Sequence, residues 1–152
     1  MEEIKSQNFR QTQNAGANFA KNLHAGNIIL LTGELGAGKT TFVQGLAGAL
    51  GVKDRIISPT FMLVRKHRIR QPKTRIKNVY HIDLYRLEGE LDIRSLGLED
   101  IFADESGLFL IEWGEKHKGL NADWEVTIRI TNTNERVIKM QELSLRTLPK
   151  AG

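Results

Sequence analysis

The chain contains no cysteine, which excludes disulfide staples and thiolate metal sites. Nowhere does it approach the ~18 consecutive apolar residues of a membrane-spanning helix. Its opening, MEEIKSQNFRQ, carries acids and amides where a secretory signal would place a basic and then an apolar region. A soluble, cytoplasmic protein with no membrane partner is therefore expected. Also missing is any Asn-Lys-x-Asp sequence to read guanine, and there is no internal repeat or low-complexity segment. What remains is 152 residues, 40% apolar and 26% charged, a balance that suits one globular domain with a buried core.

Apolar spacing divides that domain into elements. Ala15, Phe19, Ala20 and Leu23 recur at helical intervals within Thr12–Leu23. Asn27–Thr32 is short, rich in Ile and Leu, and reads as a buried strand. From Lys39 to Leu50 the positions Phe42, Val43, Leu46, Ala47 and Leu50 predict a helix, stopped by Gly51. After a turn at Pro59, a strand is expected from Phe61 to Ile69. Arg70–Lys77 then reads as an exposed hairpin loop and Asn78–Leu84 as a strand. Glu90–Phe102 reads as a helix interrupted by Gly97. LFLIEW, from Leu108, is a second strongly buried strand, and WEVTIRI and RVIKMQEL alternate like an antiparallel pair. The order predicts a single α/β domain over residues 1–152 with a mixed sheet.

Between the first buried strand and its helix lies GELGAGKTTF, Gly33–Phe42. Gly33, Gly38, Lys39 and Thr40 satisfy G-x-x-x-x-G-K-[ST] in the strand-loop-helix setting that motif requires. A strand-to-helix turn favours a glycine or two by itself, but not the lysine, the threonine and the spacing together. Glycines let backbone N–H groups turn inward around phosphates without a Cβ in the way. The helix starting at Lys39 points its positive end at the same anion. Lys39 is expected to bridge the terminal phosphates, with the Thr40 hydroxyl on Mg²⁺ and Thr41 near the α-phosphate. Glu34, Gly36 and Ala37 complete the loop. A nucleoside triphosphate with magnesium is the expected ligand.

Such a loop needs a carboxylate at the end of a neighbouring buried strand. LFLIE supplies Glu112 and VYHID supplies Asp83. Glu112 suits the magnesium side and Asp83 suits orienting or deprotonating water, though on sequence alone the two roles are interchangeable. In SPTF, Thr60 follows a rigid Pro59 and suits a loop that senses the γ-phosphate. DESG, Asp104–Gly107, resembles a GTPase element but follows a helix, and guanine specificity is unsupported. A small-molecule kinase using Arg86 and Arg94 as lid arginines is an alternative, although 152 residues leave little room for an acceptor site. A nucleotide-dependent switch module, in which hydrolysis is incidental, is another.

GELGAGKTTF, SPTF, HIDLYRL and IEWGEK together resemble the bacterial TsaE (YjeE) family, over about Thr12–Glu115. The resemblance implies a P-loop NTPase-like, three-layer fold whose mixed sheet is mainly parallel at its centre with antiparallel C-terminal strands. It further implies an ATPase that serves threonylcarbamoyladenosine modification of tRNA, working with TsaD and TsaB. By motif, Gly33–Thr41 would bind ATP, Thr40 and Glu112 would hold Mg²⁺, and Asp83 would be the catalytic acid. Thr60 would lie in the switch-like loop and Trp113 beside the nucleotide. Thr12 aligns loosely with a segment, before the first helix, that touches the nucleotide.

Arg65–Lys77 contains Arg65, Lys66, Arg68, Arg70, Lys73, Arg75 and Lys77 with no acid. Such a run is either a solvated face or a contact for tRNA or an acidic partner. It lacks the aromatics of a base-stacking platform. His24, His81 and His117 share no ligand spacing with a third donor. Trp124 and the C-terminal strands read as core and sheet edge, and the tail TLPKAG as frayed.

Overall fold

The structure, a computed structural model, describes residues 1–59, 63–87, 97–114, 120–132 and 134–143. Thr60, Arg94, His117, the first part of the expected Glu90–Phe102 helix and the C-terminal tail lie outside the described residues.

Two buried strands form the centre: β2 (Ile28–Thr32) and β5 (Gly107–Glu112), the latter buried at all six positions. A near-continuous apolar run of that kind is what a strand covered on both faces requires. Around them the chain builds a seven-stranded sheet in the order β1-β7-β6-β2-β5-β4-β3. The remaining strands are β1 (Glu2–Ser6), β3 (Val64–Arg68), β4 (Asn78–Asp83), β6 (Trp124–Asn132) and β7 (Glu135–Glu142). The central four, β6, β2, β5 and β4, run parallel, whereas β3, β7 and β1 pair antiparallel. Registers place Asp83 directly opposite Glu112 at the carboxyl ends of β4 and β5.

Helices α1 (Phe9–Phe19) and α2 (Lys39–Leu50) cover one face. Asn8 starts α1, its side-chain oxygen accepting from the Gln11 N–H at 2.9 Å. Gly51, at φ 99°, ends α2. The two helices meet backbone to backbone. A Cβ at Gly16 would lie 2.1 Å from the Phe42 carbonyl oxygen, and one at Gly45 would lie 1.9 Å from that of Gln13. Phe19 fills the layer below, 5.8 Å from Phe42 and edge-on to Trp124 at 5.1 Å. On the opposite face Tyr80 and Phe102 pack on Phe109, with Phe102 supplied by α3 (Leu98–Phe102), which begins at Gly97. These are the three layers. No helix among the described residues is long and apolar enough to cross a membrane.

Two features differ from the sequence reading. The N-terminal residues form β1, an unexpected strand that covers β7. As a result the C-terminal pair is not the sheet edge: β7 lies between β1 and β6, and β6 pairs in parallel with β2. Trp124 is half-buried and packs against the core.

Candidate functional site

Where β2 ends, the chain needs backbone that only glycine adopts without strain. Gly33, Gly36 and Gly38 have φ of 156°, 79° and 112°. A Cβ at Gly33 would also sit 2.5 Å from the Ile128 carbonyl oxygen, whereas Gly36 faces open space. Gly38 is the N-cap of α2, and no side chain caps the amides behind it. The helix therefore presents free N–H groups and the positive end of its dipole to whatever the loop encloses. Arg136 of β7 fastens the loop from behind, its Nε donating to the Ala37 carbonyl at 3.0 Å.

Lys39 is only 7% exposed, a costly burial unless its ammonium is engaged. It donates to the Gly33 carbonyl, stands 4.0 Å from Glu112 Oε1, and lies 5.0 Å from the centroid of the Trp113 ring. Glu112 is buried as well, and its other oxygen, Oε2, is 2.5 Å from Nε2 of the fully buried His81. Asp83, also buried, accepts from the Tyr85 N–H at 2.9 Å. Trp113 follows Glu112 at φ 62°, a left-handed conformation that is uncommon for such a side chain. Its ring rests 5.0 Å from that of Tyr85.

Two recesses flank the loop. One, of about 410 Å³, gathers Lys39, Thr40, Asp83, Glu112 and Trp113, with Ser58 and Tyr85 at its wall. Glu34 lies at its rim. The other, of about 460 Å³, lies between Phe9, Thr12, Thr41 and Arg136 and includes Ala37 and Gly38. Apart from Thr60, which lies outside the described residues, the residues expected from the sequence thus converge on the carboxyl ends of the parallel strands. Thr12 is not ahead of the first helix but inside it. Its hydroxyl is 2.7 Å from Ser6 Oγ, and its methyl faces Gly38.

Three members of the site were not anticipated. His81 precedes Asp83 by two residues on the same strand, so alternation alone places both on one face. Tyr85 lies in HIDLYRL, of which the sequence reading singles out Asp83, Arg86 and His81 but not the tyrosine. Arg136 reaches the loop from β7, and no local pattern signals it.

Comparison with known proteins bears on the family and the fold. The family model for "Threonylcarbamoyl adenosine biosynthesis protein TsaE" matches residues 6–140. A tRNA threonylcarbamoyladenosine biosynthesis protein TsaE from Rickettsia typhi is 38% identical over 136 residues, covering 88% of this chain and 90% of the relative. The protein of that name from a Nostoc species is 44% identical over 108 residues, covering 69% of this chain and 63% of the relative. Among solved structures, YdiB of Bacillus subtilis superposes with a TM-score of 0.74 over 95% of this chain and 87% of that one. At 24% identity, it is a likeness of fold.

Proposed function

The chain belongs to the TsaE family of threonylcarbamoyladenosine biosynthesis proteins, and from that premise we propose that it binds ATP with Mg²⁺ and hydrolyses it in support of tRNA modification at adenosine 37. It acts with TsaB and TsaD, the partners the family resemblance implies, and no described residue of the site is suited to transferring a carbamoyl group, which agrees with that division of labour. The observation that carries the reading is the buried Lys39 ammonium, held between the glycine loop and Glu112.

The site's donor set fits the ligand. Gly33, Gly36 and Gly38 leave a cradle without side chains, α2 offers uncapped amides, and Lys39 supplies the one buried cation among the described residues. A hydroxyl and a carboxylate, Thr40 and Glu112, are hard oxygen donors of the kind magnesium takes. When bound, magnesium neutralises charge on the phosphates during in-line displacement. Lys39 exchanges the Gly33 carbonyl for phosphate oxygens. His81 keeps Glu112 Oε2 engaged, so that Oε1 stays turned toward Lys39 and the loop. Asp83, one strand over and opposite Glu112, orients the attacking water and takes its proton. The Lys39 and His81 contacts of Glu112 support placing Glu112 on the metal and Asp83 on the water. Tyr85 and Trp113 stand over the mouth and limit solvent access. The recess beside Thr12 and Phe9 receives the nucleoside end.

Substituting Lys39 by alanine tests the site. Losing a buried charge-assisted contact of roughly 3 kcal/mol should weaken ATP binding by at least about 100-fold in calorimetric titration. Unchanged affinity would place the nucleotide elsewhere.

A further inference from the structure

The β3–β4 hairpin, residues 64–83, reverses the chain at the amino ends of the parallel strands, whereas the glycine loop lies at their carboxyl ends. Its loop is therefore about one strand length, roughly 20 Å, from the nucleotide site. Ile69 and Ile76 are buried and anchor the loop to the core. The residues between them are exposed.

Two recesses lie on either side of this loop. Lys53, Arg70 and Lys73 line one, of about 500 Å³, together with the end of α2. Lys21, Arg75 and Lys77 line the other, of about 840 Å³. All six cations are exposed, and none forms an ion pair among the described residues. Against them stands a single lining acid, Glu105. Six unneutralised charges gathered on one end of a domain repel one another. A polyanion would relieve that repulsion.

We propose that this basic end is a docking surface for the phosphate backbone of a folded RNA, with Arg70, Lys73 and Arg75 at its centre. Two observations favour RNA over an acidic protein. Protein interfaces are built around aromatic and apolar anchors and are depleted of lysine, yet no exposed large apolar side chain lies on the hairpin loop. Such side chains gather at the other end instead, where Phe9, Leu35 and Tyr85 line the nucleotide recesses. The absence of loop aromatics also argues against stacking on unpaired bases and for contact with paired, backbone-presenting RNA. The choice of RNA among polyanions rests on the tRNA-modification reading above. The opposed placement lets one domain hold nucleotide at one end and RNA at the other.

The test is tRNA binding, measured by fluorescence anisotropy with unmodified tRNA from 50 to 200 mM KCl. Six phosphate contacts give a slope of log K against log salt near −5 and an affinity loss of about a thousandfold across that range. The variant Arg70→Glu/Lys73→Glu/Arg75→Glu should lower affinity at least about 100-fold at low salt and make the slope shallower by about 3. Because a loop variant can perturb the hairpin, Lys21→Glu/Lys53→Glu, on separate elements, should make it shallower by about 2. Both variants should keep wild-type ATP affinity. Absence of tRNA binding at 50 mM KCl, or slopes unchanged in both variants, would overturn the proposal. So would intact tRNA binding with lost affinity for TsaB–TsaD, which would make the face a protein contact. Failure here with ATP hydrolysis intact removes the surface alone, while tRNA binding without ATP binding removes the nucleotide reading alone.

Discussion

One substitution, made at two positions three residues apart on α2, should move stability in opposite directions. Gly45 faces α1, and a Cβ there would lie 1.9 Å from the Gln13 carbonyl oxygen, where ordinary contact begins at 3.4 Å. The overlap of about 1.5 Å is with backbone, so no side chain can swing away and the helices must separate. Overpacking of this kind costs about 3 kcal/mol, offset by about 1 kcal/mol of helix propensity gained over glycine. Gly45→Ala should therefore lose about 2 kcal/mol, a fall in Tm of about 6 °C for a domain of this size. Gly48 is exposed with nothing within 4 Å of its Cβ position. Gly48→Ala should gain about 0.5 kcal/mol from propensity alone. Urea unfolding with a common m-value reads both changes. Because α1 carries Thr12 against Gly38, Gly45→Ala should also weaken nucleotide binding, and Gly48→Ala should not. Shifts of the same sign in both variants would refute the close helix crossing and its link to the loop.

Other expectations concern the carboxylates and their partners. Asp83→Asn should keep ATP affinity within about threefold but lower turnover by at least about 100-fold, and wild-type phosphate release from that variant would remove Asp83 from catalysis. His81→Ala leaves a buried Glu112 oxygen without its donor, at a cost of about 2 kcal/mol. It should also raise the Mg²⁺ concentration needed for activity, with His81→Gln restoring most of both. An unchanged Mg²⁺ requirement in His81→Ala would show that His81 does not position Glu112. At the other end of β4, the Tyr80 hydroxyl donates to Asp104 Oδ2 at 2.7 Å. That bond is the main cause holding the Asp104 carboxyl below its ordinary range. Burial, then Asp104, pushes the Tyr80 hydroxyl up to about 12. A depressed carboxyl stabilises the fold above its unfolded value, near 3.9, and that contribution fades as pH falls through the lower folded value. A raised phenol stabilises below its unfolded value, near 10, and the contribution is lost as pH rises toward 12. Tyr80→Phe should therefore flatten both the acid and the alkaline limb of the urea midpoint against pH, and identical profiles would deny the coupling.

Local features were legible and long-range ones were not. The glycine loop could be read directly, because its residues are contiguous and the strand before it and the helix after it carry their own apolar periods. Glu112 and Asp83 were legible for a similar reason, each closing an apolar strand. That the two stand opposite each other depends on β4 pairing with β5, a neighbour relation that no local period encodes. β1 was illegible because its only apolar interior residue, Ile4, is half-buried, and its partner β7 lies at the far end of the chain. The same pairing explains Arg136, which enters the site only because β7 is drawn into the sheet. The first helix reads as starting at Thr12 because Phe9, Arg10 and Gln11 add no apolar spacing, whereas the Asn8 cap starts it at Phe9.

The most direct test of the account is phosphate release from Mg·ATP by the purified protein, alone and with TsaB–TsaD, alongside Asp83→Asn. The account predicts hydrolysis by the wild type, stimulated by the complex, and its loss in the variant. Nucleotide bound but not hydrolysed under either condition would contradict it and leave a switch in place of an ATPase.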